Sequence, residues 1–324
     1  MAHRDQRLRQ KSSTGRDFLG AGRKIIDAHF HLWNLGENYY PWLSGDGRGS
    51  LVKNFASLRT NYLVSDFLKD FGDLNVVAGV HIQAEHDHAD PVRETRWLQK
   101  VADETASAGF PNAIVADADF ATDDVEAVLE RHCAFRNMRG IRHVLHRTLD
   151  AAVPYDPLKN PAWHHNFPLL KKFGLSFDMQ LFWQQADDAV MLIRDNPDVQ
   201  IVLDHAAMPI WNDAENMAQW RRALRRYAEF PNVAIKISGF GTPYPDWNAR
   251  SIGPIVSEIM AAFTPQRSML ASNFPVERLA KSYAEVWGNY AEYFSAYSSE
   301  EQDLLFWRNA SRIYRINLRD IDNA

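Results

Sequence analysis

Residues Ile25 to His31 read Ile-Ile-Asp-Ala-His-Phe-His, an apolar run that ends in two histidines spaced two apart. Side chains alternate faces along a strand, so His29 and His31 point the same way. Two imidazoles at one strand tip can grip a metal ion or an anion. The same spacing also arises by chance among histidines that merely bond carbonyls, so the pair takes its meaning from its company. That company is Val-Leu-Asp-His at 202–205, Ile-Lys-Ile-Ser-Gly at 235–239 and Ser-Asn-Phe-Pro-Val at 272–276, with Arg142 and Gln180 at the ends of two other apolar runs.

Eight such runs alternate with segments of helical period, as expected of βα units around a parallel sheet. The strands are predicted at 24–31, 75–83, 112–117, 140–145, 175–181, 199–205, 232–238 and 268–273. Asp90-Pro91 opens a helix closing near Gly109, Thr122-Asp123-Asp124 opens the next, and Ser298 to Glu301 is a capping box. The count predicts a (β/α)₈ TIM barrel, whose strand ends converge on one mouth. His29, His31, Gln180, His205, Asn273, Arg142 and either Lys236 or Ser238 then face its centre, with His143 or His146 on alternate faces. The long irregular stretches follow strand ends and carry aromatics, among them Tyr39, Trp42, Tyr155, Trp211 and Tyr244. Together these read as walls and a lid for a compact organic ligand.

In order and spacing these motifs, with Leu-Trp-Asn at 32–34, Pro41-Trp42-Leu43 and Asn309-Ala310, resemble the amidohydrolase superfamily over about residues 25 to 318. The resemblance is to the branch holding sugar lactonases and the pyrone-dicarboxylate lactonase. It implies that His29, His31 and His205 hold a divalent metal such as zinc, or take its place in polarising a lactone carbonyl. It also implies an eighth-strand aspartate that activates water. Here that position is Asn273, and an amide cannot collect a proton from water near neutral pH. Gln180 stands where many members carry a metal-binding histidine. The cofactor expectation is therefore no metal, or a weakly bound divalent ion.

Three readings follow. The first is a lactonase-type hydrolase of a sugar-acid or aromatic-degradation lactone. In it His29, His31, His205 and Asn273 form the catalytic set, with His205 oriented by Asp204, and Arg142, Gln180, Lys236, His81, Trp42 and Tyr39 bind substrate. The second is a non-oxidative decarboxylase or other lyase, in which no water is activated. The third is a ligand-binding barrel that has lost its chemistry, against which the histidine cluster weighs, because unpartnered polar groups cost stability.

Other residues have plainer readings. Lys236 can pair with Asp204, Asp27 can bond a neighbouring loop, Glu85 to His88 can be a solvated loop, and Met179 and Met191 can fill the core. Composition narrows the partners. With 324 residues, 46% hydrophobic and 24% charged, one large core is expected. A net charge of −5 argues against nucleic acid and for a small-molecule substrate, anionic or lactone, with a homo-oligomer possible. Cys133 is the single cysteine, so no internal disulfide forms. No secretory signal and no membrane-spanning run is visible, which predicts a cytoplasmic protein. Residues 1–23, with Arg4, Arg7, Arg9, Lys11 and Arg16, read as a solvated basic tail before a single barrel domain at 24–324.

Overall fold

β-branched and other apolar residues dominate eight short segments, and each becomes a strand buried on both faces. They are β1 (Ile25–Phe30), β2 (Val76–Ile82), β3 (Ala113–Ala116), β4 (Met138–Val144), β5 (Ser176–Gln180), β6 (Ile201–Leu203), β7 (Val233–Ile237) and β8 (Ser268–Leu270). The computed structural model describes residues 22–45, 52, 55–145 and 156–318. The tail up to residue 21, His146 and Tyr155 lie outside them. The strands pair in parallel in sequence order, β1 to β8. His31 N donates to Phe274 O at 2.7 Å and Asn273 N to His29 O at 2.8 Å, so the chain beyond β8 meets the end of β1 and brings the sheet round on itself. All eight predicted strands are present.

Helices between the strands form where their signals stand. Pro91 starts the helix Pro91–Asp103, Asn248 caps Ala249–Phe263, and Ser282 with Glu285 forms a capping box on Tyr283–Phe294. Among the described residues no helix is long and apolar enough to cross a membrane.

Two apolar clusters divide the molecule. The larger packs the outer faces of the strands against the helices and includes Phe30, Phe177, Ile201 and Ile235. The smaller fills the barrel interior with Ile26, Ala28, Val80, Val115, Val202 and Met269, and the C-terminal Ala310, Ile313 and Tyr314 join it. Strict alternation from Ile26 and Ala28 would carry Phe30 inward. The β1–β2 register instead shifts between Asp27 and Phe30, which sends Phe30 outward against Phe67 and leaves His29 and His31 above Ala28. The outward-facing Asp27 accepts hydrogen bonds from Ser272 N, Ser272 Oγ, Tyr283 Oη and His29 N, fastening β1 to the end of β8.

Candidate active site

Above the apolar interior lies a charged layer. Lys236 of β7 bridges Asp178 of β5 at 2.5 Å and Asp204, just past β6, at 3.0 Å, with all three side chains fully buried. Tyr314 Oη donates to Asp178 Oδ2 at 2.8 Å from the C-terminal segment. Although burial pushes the Asp204 carboxyl up, the Lys236 ammonium and His29 hold it well below the usual carboxylate range. Asp178 is pushed up to about 6, chiefly by burial.

The histidines rest on this layer. His29 Nδ1 lies 3.3 Å from Asp204 Oδ1 and 3.4 Å from Lys236 Nζ. Its Nε2 faces His31 Nε2 at 3.3 Å, and the His205 ring centroid is 4.5 Å from its own. His31 Nδ1 donates to Ile82 O at 2.7 Å, so its Nε2 is a lone pair. Burial, then Lys236, drives His29 far below the ordinary histidine range, and burial, then Arg142, does the same to His31. Both rings are therefore neutral at physiological pH.

His205 opens a strained turn. His205, Ala206, Ala207 and Met208 all have φ between 51° and 57°, a left-handed run that costs about 1–2 kcal/mol per residue. Its surroundings hold it in place. Trp220 Nε1 donates to Ala206 O at 2.9 Å, and Ser238 Oγ meets His205 Nδ1 at 3.0 Å. Gly239 leaves room for the imidazole, since a Cβ there would stand 2.6 Å from the ring. Non-glycine strain of this kind concentrates at functional sites.

A cavity of about 470 Å³ opens over these residues, a size suited to a small organic ligand. His31, His205, Asn273, Arg142, Gln180 and Glu85 border it, with walls from Trp42, Phe182, Trp211, Phe240 and Tyr244. Two walls are tied across loops, as Trp42 Nε1 donates to Ala84 O at 2.8 Å and Trp211 N to Tyr244 Oη at 2.9 Å. Arg142 is 4% exposed. It donates to Gln180 Oε1 at 3.0 Å and to Gln83 O, both neutral acceptors, and forms no ion pair among the described residues.

Several expectations need correction. Lys236 does not border the cavity, because the ion pairs with Asp178 and Asp204 hold it in the layer below. His81 faces outward, since Val80 and Ile82 take the inward positions of β2. Its Nε2 bonds Leu32 O, and burial drives its pKa down to about 3. Tyr39 is 54% exposed and lies off the cavity. Asp204 orients His29 instead of His205, whose Nδ1 partner is Ser238. Met191 is exposed, while Met179 is buried.

The sequence reading also missed residues. Glu85, placed in a solvated loop, is buried against the cavity at a φ of 60°, and nothing in the local pattern marks it. Asp178 carried a usable signal, since it shares strand parity with Gln180. Glu277 accepts from Gly241 N at 2.7 Å and Trp247 Nε1 at 2.5 Å, fixing the loop that carries Phe240 and Tyr244, and burial raises its pKa to about 7.

The sequence profile described as Amidohydrolase matches residues 26–316. The chain belongs to the amidohydrolase family. Membership accounts for the barrel and makes the protein a hydrolase. A similar relative is the uncharacterized protein y4mH of Sinorhizobium fredii, 41% identical over 90% of this chain and 98% of that one. An L-fucono-1,5-lactonase of Burkholderia multivorans is 29% identical over 92% of this amidohydrolase and 97% of its own length. The crystal structure of an amidohydrolase from Burkholderia multivorans with bound zinc superposes with a TM-score of 0.74 at 27% identity, covering 90% of this chain and 99% of that one.

Zinc sites in proteins take three or four protein ligands. Nitrogens bound about 2.05 Å from a tetrahedral zinc stand about 3.3 Å apart, and the His29 and His31 Nε2 atoms are 3.3 Å apart. The pair fits such a bite. Among the described residues no group of three His, Cys, Asp or Glu side chains is placed to hold an ion, so His29, His31 and His205 do not form the expected metal site.

Proposed function

We propose that this hydrolase opens a small lactone bearing a carboxylate or similar anionic group. The observation that carries the reading is Arg142, a buried guanidinium beside the histidines whose described partners are all neutral. A buried cation of this kind is costly unless an anion reaches it, and the planar guanidinium suits a carboxylate or an oxyanion. The lactonase name of a relative at 29% identity supports the reaction class.

In this reading the aromatic walls hold the ring over the histidines. Ser238 accepts from His205 Nδ1–H and so directs Nε2 to take the proton of the attacking water. The water oxygen bonds to the carbonyl carbon, and Arg142 faces the developing oxyanion. The ring C–O bond then breaks, and the proton held on His205 passes to the departing alkoxide, giving a hydroxy acid. Asn273, lacking basicity, contributes hydrogen bonds to substrate.

A panel of lactones with and without a ring carboxylate, followed by proton release with and without chelator, tests this. Faster turnover of the anionic members is expected, and equal or slower turnover would overturn the substrate class. Asn273 gives the lyase reading one specific support, since decarboxylation needs no activated water. Release of CO₂ without hydration of a lactone would favour it.

A further inference from the structure

The cavity has two unlike sides. His31, Glu85, Arg142, Gln180 and Asn273 border it from positions at or just past the ends of β1, β2, β4, β5 and β8. The loops after β6 and β7 differ. There residues 208–212 and 239–244 present Met208, Pro209, Ile210, Trp211, Phe240 and Tyr244, and the polar side chains they add are Asn212, which is exposed, and Thr242, which is half-buried.

This apolar wall is fixed in place before any ligand arrives. Tyr244 Oη accepts from Trp211 N at 2.9 Å and the two rings meet edge to face at 4.0 Å, so the two loops form one surface. Phe240 packs 5.5 Å from Trp247, whose Nε1 is bound by Glu277 together with Gly241 N. Met208, Ile210 and Trp211 are nonetheless only half-buried. Apolar side chains held rigid and left facing a cavity gain free energy when another apolar group covers them.

The wall also stands where a substituent of the substrate would reach it. Met208 ends the left-handed turn that His205 opens, so the wall begins beside the histidine. Arg142 is on β4, two strands from β6 and three from β7. An anion on Arg142 and a group on the wall therefore take different sides of one ligand. A carboxylated lactone ring by itself is small for a cavity of about 470 Å³, a volume within the range that encloses drug-sized ligands.

We propose that the substrate is amphiphilic, a carboxylated lactone that carries an alkyl or aryl substituent, and that this substituent packs on the wall formed by residues 208–212 and 239–244. The inference rests on the reading of the site as one that opens an anionic lactone. It adds that the far side of the ring is apolar. A hydroxyl set against this wall would give up its water without a matching partner.

Carboxylated lactones of one ring size, bearing hydrogen, methyl, propyl or phenyl away from the carboxylate, would be compared on the full chain by steady-state kinetics. kcat/KM is expected to climb about two- to fourfold for each buried methylene. The gain should fall chiefly on KM, because the substituent packs equally well in the ground and transition states. The 2-hydroxyethyl isostere of the propyl compound should react about 10- to 100-fold more slowly, the range over which an apolar pocket rejects an added hydroxyl. A flat alkyl series, or equal turnover of the hydroxyl-bearing compound, would overturn the inference and leave the lactonase reading standing. Turnover of no carboxylated lactone would bring down that reading and the inference with it.

Two variants locate the contact. Trp211→Ala should cut the propyl-to-hydrogen ratio of kcat/KM about tenfold, as expected for lost apolar cover in a specificity pocket. Should that variant misfold, Ile210→Asn changes a half-buried side chain of the same loop and should lower the same ratio. A wild-type ratio in a folded Ile210→Asn protein would place the substituent elsewhere and overturn the assignment.

Discussion

Arg142 Nη1 donates to Gln180 Oε1 at 3.0 Å, tying the end of β4 to the end of β5 at the rim of the cavity. A neutral amide orients the guanidinium without cancelling its charge, as a carboxylate there would. The cation is thereby held rigid and kept available to an incoming anion.

Arg142→Ala should accordingly lower kcat/KM about 10- to 150-fold, the worth of a hydrogen bond to a charged group. Thermal melting should move little, because the wild-type guanidinium has only neutral partners to lose. Steady-state kinetics beside a melting curve would decide. A large stability loss with unchanged turnover would make the residue structural.

Asn273 sits at a φ of 59°, a conformation that aspartate also tolerates, so Asn273→Asp should fold. The change adds a carboxylate beside the imidazole pair, and zinc affinity measured by calorimetry should rise at least about tenfold. Equal affinities in the two proteins would show that the ion does not reach this position.

Gly239 has a φ of 74° and faces the His205 ring, so Gly239→Ala meets both backbone strain and a Cβ contact at 2.6 Å. The substitution should destabilise by about 1–3 kcal/mol. It should also displace His205 and reduce kcat more than tenfold. Denaturant titration and kinetics would be compared, and wild-type kcat would show that the ring does not need its present position.

Glu277 is buried, and its pKa rises from 4.5 to about 7 because burial disfavours the carboxylate. The unfolded chain loses this proton near the ordinary value while the folded chain keeps it. Stability tied to Glu277 is thus complete below pH 4.5 and declines as the pH rises toward about 7, by a few kcal/mol at most. Glu277→Gln should flatten this part of the stability profile in denaturant titrations across that range. A slope identical to the wild type would contradict the assignment.

Much of this was legible in the chain. Strand and helix segments follow from apolar period and capping residues, which act locally, and the eight-fold alternation of the two fixes the barrel. Its mouth then gathers His29, His31, Arg142, Gln180, His205 and Asn273, because parallel strands all deliver their C-terminal ends to one side. That the chain carries an amide, Asn273, just past its eighth strand is likewise a fact of the sequence with direct chemical meaning.

The tertiary structure decided which groups meet, since hydrogen-bond partners far apart in sequence leave no periodic trace. A register shift in β1 turned Phe30 out and placed both histidines over the barrel interior. Strand parity on β2 sent His81 to the helix side, where burial makes it a neutral structural ring. Lys236 had the right parity for the site, yet Asp178, 58 residues away, and Asp204 drew it into a layer below the cavity. Glu85 entered the site through a left-handed backbone turn that its neighbours in sequence do not announce. In each case competition among distant partners for a buried charge or an inward position settled the outcome, and that competition exists only once the chain is folded.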